Sequence, residues 1–202
     1  IRFVEGLLAL LPPPARFGLT FATHTLPSTR IEAQIRFYTD EPLPQNALIY
    51  YWARGVIEGK RTADEYSRYI KSQLRLDTDL VIQQTAALTP IANWRIKRGE
   101  PASEALIYAA RRMAVDSAIA NNQPVEAAEV ARILAEDPTL DDDTSAAYVR
   151  HLLAFALVLE EIEQTDLLSV VVRGKPTLDR VILQQMDDGL ASGKADRVYR
   201  VL

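Results

Sequence analysis

From Thr62 to its C-terminus this chain of 202 residues repeats apolar side chains at three- and four-residue spacing, interrupted mainly by glycine and proline. A period near 3.6 gathers such residues on one face of a helix, so most of the chain is committed to helices that must bury those faces. Thr62 and Glu65 form a capping box for the first, which runs through Tyr66, Tyr69, Ile70 and Leu74. The pattern continues past Asp77–Asp79 through Leu80, Val81 and Ile82, and Pro90 is expected to break or kink it. After Gly99 and Pro101, Leu106, Ile107, Ala110, Met113, Ala114, Ser117 and Ala118 form a small-residue stripe in a helix over 105–120, suited to close packing. Asn122 and Pro124 predict a short helix over 125–134, ended by Asp137-Pro138. Asp143 or Thr144 is expected to cap the next, whose body over 146–162 is the most hydrophobic and therefore central. Leu167–Val172 suits either a strand or a buried helical turn, and its surroundings favour helix. Lys175-Pro176-Thr177 opens a helix through Leu178, Val181, Ile182 and Met186, which Gly189 and Gly193 end, and another begins at Ala195.

The first quarter reads differently. Phe3, Leu7, Leu8, Leu10 and Leu11 predict a short apolar helix stopped by Pro12-Pro13-Pro14. Three stretches of β character follow, over 17–23, 31–38 and 47–52, separated by turn-forming residues. Ile31, Ala33, Ile35 and Phe37 alternate with Glu32, Gln34, Arg36 and Tyr38, giving one apolar and one wet face. The expected fold is thus α+β and predominantly α-helical: a small three-stranded antiparallel sheet near the N-terminus, packed on a multi-helix bundle. Residues 1–58 would form the helix plus β-meander and 59–202 the bundle, sharing one continuous core, with 55–61 as the only seam.

Composition narrows the functional classes. The chain has no cysteine, which removes disulfides, thiolate nucleophiles and Cys-ligated zinc and fits a reducing compartment, so a cytoplasmic location is expected. A formal net charge of −4 supplies no global positive field, which disfavours nucleic acid and anionic membranes. The densest apolar run, over 152–159, falls short of the roughly 20 residues needed to span a bilayer. The first residue is Ile1, so the chain is expected to be a piece of something longer.

No linear motif marks a reaction. Neither Gly-x-Gly-x-x-Gly, nor Gly-x-x-x-x-Gly-Lys-Ser/Thr, nor Gly-x-Ser-x-Gly occurs. The two histidines, His24 at a strand end and His151 near the start of an apolar helix, are linked by no pattern. Asp141-Asp142-Asp143 fails as a calcium loop: counted from Asp137, the glycine and glutamate places hold Asp142 and Tyr148. The run is better explained as dipole and capping chemistry ahead of a helix. Trp94, Arg95, Lys97 and Arg98 form a basic and aromatic cluster that suits a phosphate or partner carboxylate, or a solvated helix C-terminus. Tyr50-Tyr51-Trp52 puts Tyr50 and Trp52 on one strand face and Tyr51 on the other, either buried under helices or presented as a binding surface. No catalytic, cofactor-binding or metal-binding residue is assigned, and no cofactor is expected.

Leu7-Leu8-Ala9-Leu10-Leu11-Pro12 followed by Arg16-Phe17-Gly18-Leu19-Thr20-Phe21-Ala22-Thr23 resembles the N-terminal segment of bacterial GTPase-associated adaptor proteins, over about the first fifth of the chain. The resemblance implies a non-catalytic adaptor within a larger bacterial protein, coupling a small GTPase or ATPase system to an effector, and it carries over no functional residue. The expected function is an interaction or regulatory module whose partner is another protein, acting through Tyr51, Trp52, Trp94, Arg95 and Arg98. The alternative is a small-molecule-binding protein or enzyme with its site between sheet and helices, using His24, Arg36, Tyr51 and Glu65.

Overall fold

A computed structural model describes residues 2–25, 32–38, 43, 47–60, 63–158 and 176–201. It is mostly helical, with small sheets, and divides into two compact units, Ile1–Ala110 and Arg111–Leu202. Among the described residues no helix is long and apolar enough to cross a membrane.

In the first unit, α1 (Arg2–Ala9) ends before the proline triplet, and Pro12 then caps a short α2 (Pro13–Arg16). The triplet thus both stops one helix and starts another, because a proline in the first turn lacks only an N–H that would have no helical partner. Among the described residues four strands follow: β1 (Phe21–Thr25), β2 (Ile35–Tyr38), β3 (Ile49–Tyr51) and β4 (Val56–Glu58). They form two separate ladders, β1 with β2 in parallel and β3 with β4 antiparallel. The expected three-stranded antiparallel sheet is therefore corrected. Alternation of apolar and polar residues fixes which face of a strand is buried, but the same alternation serves parallel and antiparallel neighbours.

β4 occupies part of the stretch read from sequence as a seam. Gly55, at φ +63, lets the Trp52–Gly55 turn close, with its N–H donating to the Tyr51 carbonyl at 2.8 Å. Gly59 meets the opposite strand's approach so closely that a Cβ would lie 2.5 Å from the Ala47 carbonyl oxygen. That position admits only glycine.

Next come α3 (Glu65–Leu76), α4 (Thr78–Ala87) and α5 (Thr89–Lys97). Thr62 lies outside the described residues; the cap of α3 is Asp64, whose carboxylate accepts from the Ser67 N–H at 2.7 Å. Asp77 splits the expected continuous helix: its extended backbone ends α3, and its carboxylate accepts from the Asp79 N–H at 2.9 Å to start α4. Pro90 does break the pattern, in the first turn of α5. Val81, Leu88, Ile91 and Ala92 are buried, as are Ala105, Leu106, Tyr108 and Ala109 from α6 (Ala102–Ala120). The Tyr66 hydroxyl donates to the Leu10 carbonyl, tying the start of α3 to the chain beyond α1.

The second unit holds the rest of α6 with α7 (Ala127–Glu136), α8 (Asp142–Val158), α9 (Pro176–Ala191) and α10 (Ala195–Val201). α8 packs on α7, α9 and α10, so within this unit it has the central place its hydrophobicity predicts. Tyr148 with Leu152, and Val149 with Leu153, meet Val130, Ile133, Leu134, Leu178, Met186 and Val198 in one buried cluster. Burying each large aliphatic chain there contributes about 1.5–3 kcal/mol.

Two caps differ from expectation. Asp141, not Asp143 or Thr144, caps α8, accepting from the Thr144 N–H at 2.7 Å. Asn122 turns in the left-handed region at φ +52, and α7 starts three residues beyond Pro124. The expected segment 167–172 and the end of the helix over 146–162 lie outside the described residues.

Candidate functional site

The first unit contains a partly open cavity of about 480 Å³ between α1 and the β1–β2 ladder. Val4, Glu5 and Leu8 come from one side of α1, Phe21, Thr23 and His24 from β1, and Phe37 and Tyr38 from β2. Its walls are largely the carbon of Val4, Leu8, Phe21 and Phe37. Glu5 is the one carboxylate, and no Lys or Arg lines it among the described residues.

His24 reaches this cavity through an irregularity. The register runs Phe21 to Ile35 and Ala22 to Arg36, then resumes at Thr25 to Tyr38, so Thr23 and His24 together oppose Phe37. That is a β-bulge in a parallel pair, a rare setting for one. His24 takes it up with φ +56, a left-handed backbone that costs a non-glycine residue about 1–3 kcal/mol. Regular alternation would send Thr23 and His24 to opposite faces; here both line one cavity.

Arg36 reaches the rim through Tyr38: its Nη1 donates to the Tyr38 hydroxyl at 3.4 Å, and its Nε to the Ala33 carbonyl at 2.8 Å. Glu65 is elsewhere, in the first turn of α3, 3.8 Å from Arg68. Of the four residues expected to share a pocket, His24 lines it, Arg36 borders it, and Tyr51 and Glu65 are not among its described lining.

An aromatic cluster adjoins the cavity. Phe3 of α1 stacks on Tyr50 at 5.9 Å between centroids and meets Trp52 and Phe37 edge-on at 5.4 and 6.4 Å. Tyr50 and Trp52 also meet edge-on at 5.8 Å. Phe37 belongs to both cluster and cavity, which makes them one continuous surface. Trp52 is 69% exposed and Tyr50 44%, with Phe21, Leu48, Val56 and Ile57 also exposed. Tyr51 takes the other strand face, where the Arg54 guanidinium lies 4.0 Å from its ring centroid.

Trp94, Arg95 and Arg98 form a second grouping at the end of α5. Arg95 lies 3.9 Å from the Tyr108 ring centroid and its Nε donates to Glu100 at 2.6 Å, while Arg98 lies 5.3 Å from the Trp94 ring centroid. Arg95 is thereby engaged within its own unit. The five residues of the expected interaction surface thus fall into two places, hairpin and α5 terminus.

In the second unit the conspicuous polar feature is buried. Arg112 donates to both Asp116 oxygens at 3.0 and 3.1 Å and to Asp137 at 2.8 Å, and the Tyr148 hydroxyl donates to Asp116 at 2.6 Å. Asp137 also accepts from the Thr139 N–H and hydroxyl at 2.8 and 2.6 Å. Burial and the Asp116 carboxylate push the Tyr148 phenol well above its ordinary range; the same carboxylate's hydrogen bond pushes Arg112 up against its burial. These groups satisfy one another and face the core, so they fasten helices rather than bind. Sequence reading missed them; only Arg112 and Asp116, four residues apart on one helix, left a signal. Among the described residues no group of three or more His, Asp or Glu could hold a metal ion.

The chain matches no family model, no curated relative and no solved structure.

Proposed function

We propose that this chain is a non-catalytic interaction module that receives a partner protein on the aromatic face of its first unit. The observation that carries the reading is Trp52: at 69% exposed it is held by ring contacts to Phe3 and Tyr50 instead of being buried. Rigid, half-wet aromatics of this kind are what protein interfaces use as anchors. The β3–β4 ladder beside it has only two strands among the described residues, and Val56, Ile57 and Glu58 of β4 are all exposed. An extended apolar segment of a partner, laid along this hairpin, would cover the face and add to the ladder. The resemblance to GTPase-associated adaptors makes a small GTPase the first class of partner to present.

The test is a pull-down from native extract with the chain, its Trp52→Ser variant and a Leu183→Ser control in the second unit, followed by titration of the purified candidate. Direct saturable binding that falls at least tenfold in Trp52→Ser and is unchanged in Leu183→Ser is the expected result. Equal binding by all three overturns the proposal.

A further inference from the structure

We infer that the cavity between α1 and the β1–β2 ladder is a small-molecule site for an apolar amine, a hydrocarbon or aromatic body ending in a cationic nitrogen. Its volume, about 480 Å³, lies within the range of small-ligand sites, roughly 300–1,000 Å³. Its lining has the composition of such sites, apolar walls with few polar groups, here Glu5, Thr23, His24 and Tyr38.

The backbone supplies an independent reason. A bulge that places two consecutive β1 residues against Phe37, with His24 held at φ +56, costs stability at no visible gain in packing, since His24 is exposed. Its effect is to bring the imidazole round to the cavity beside Thr23. Strain kept at the wall of a cavity, where a bulge re-aims a polar side chain, is the pattern of a ligand site.

Charge then selects the class of ligand. Among the described residues Glu5 is the single carboxylate of the lining, and no Lys or Arg belongs to it. The Arg36 guanidinium borders the lining, where it bonds to the Tyr38 hydroxyl, and its Nε is engaged by the Ala33 carbonyl. Phe21, Phe37 and Tyr38 line the cavity with aromatic rings, groups that attract a cation, and Thr23 and His24 carry atoms that can accept its N–H bonds. An anionic head of the same size would meet Glu5, and among the described residues the one guanidinium bonded to the lining, that of Arg36, is already engaged by Tyr38 and Ala33.

Three probes of matched body separate the possibilities: 4-phenylbutylamine, 4-phenylbutan-1-ol and 4-phenylbutyrate, titrated into the whole chain and followed by calorimetry and by aromatic resonances of Phe21 and Phe37. The expected result is saturable amine binding that shifts both rings, at least tenfold tighter than butyrate, with the alcohol between. Glu5→Gln, a change at an exposed position, should remove most of the preference for amine over alcohol. His24→Gly, which keeps the left-handed backbone and deletes the imidazole, should weaken amine binding several-fold. Absence of saturable binding up to millimolar amine, equal affinity for amine and butyrate, or an unchanged preference in Glu5→Gln overturns the inference.

Discussion

Arg112 and Asp137 meet at 2.8 Å from positions 25 residues apart in the chain, with side chains 5% and 0% exposed. The pair joins α6 to the turn that leads into α8, and Asp116 and Tyr148 complete it. Removing one partner of a buried ion pair leaves an uncompensated charge, which is far more costly than the pair itself is favourable. Arg112→Met is therefore expected to lower unfolding free energy by about 3–5 kcal/mol. Tyr148→Phe, which deletes one hydrogen bond to a carboxylate, should cost about 1.5–3 kcal/mol. Urea unfolding midpoints of the two variants check both values; an Arg112→Met variant as stable as the parent chain would show that the network is not structural.

Alkaline titration should report three buried phenols. Burial raises the phenols of Tyr66, Tyr69 and Tyr148 above the ordinary value of 10.0. For a phenol raised in the folded state, the unfolded chain releases its proton first, so stability is intact below pH 10 and falls as pH climbs beyond it. These three phenols should ionise late, in step with unfolding. Phenolate absorbance and circular dichroism recorded together would test this; Tyr66→Phe with Tyr148→Phe should flatten the alkaline fall in stability.

Asp141 gives the acid counterpart. Its hydrogen bonds with Thr144 hold its carboxyl below the ordinary value of 3.8. A depressed carboxylate contributes its stability above the unfolded pKa and loses it as pH falls through the folded one. Asp141→Ala should cost about 1 kcal/mol at neutral pH, the usual worth of an N-cap. That cost should shrink below pH 4, as thermal melts of the two proteins across pH 3–7 would show.

His24→Gly should stabilise the first unit. Relief of a left-handed backbone returns about 1–3 kcal/mol, and glycine's greater unfolded-state freedom takes back roughly 0.5–1 kcal/mol. A net gain near 1 kcal/mol in the unfolding of the first unit is the expected outcome; a loss would mean that the imidazole makes contacts worth more than the strain.

Much of the candidate site was visible in the sequence, but not its assembly. The Tyr50-Tyr51-Trp52 run states its own faces through a period of two, and the structure indeed sets Tyr50 and Trp52 on the side of Phe3 and Tyr51 on the other. His24 gave no comparable signal. Its place in the cavity depends on one extra residue in a ladder with β2, and a bulge has no signature when neither strand contributes a glycine there. The Arg95 cluster was visible as charge and aromatics within one helix turn, whereas its engagement by Tyr108 and Glu100 required α6 and the preceding loop to be in place.

By itself the sequence determined where helices could form and which faces they would bury, because helical periodicity, proline and acidic caps act within a few residues. The breaks at Pro12–Pro14 and Pro90 and the apolar body of α8 are of this local kind. Tertiary structure alone decided that β1 and β2 run parallel, that Arg112 reaches Asp137, and that His24 and Glu5 share a cavity. Each of those joins residues distant in the chain, and a choice among such pairings is made by packing and by mutual satisfaction of buried polar groups, which no local pattern encodes.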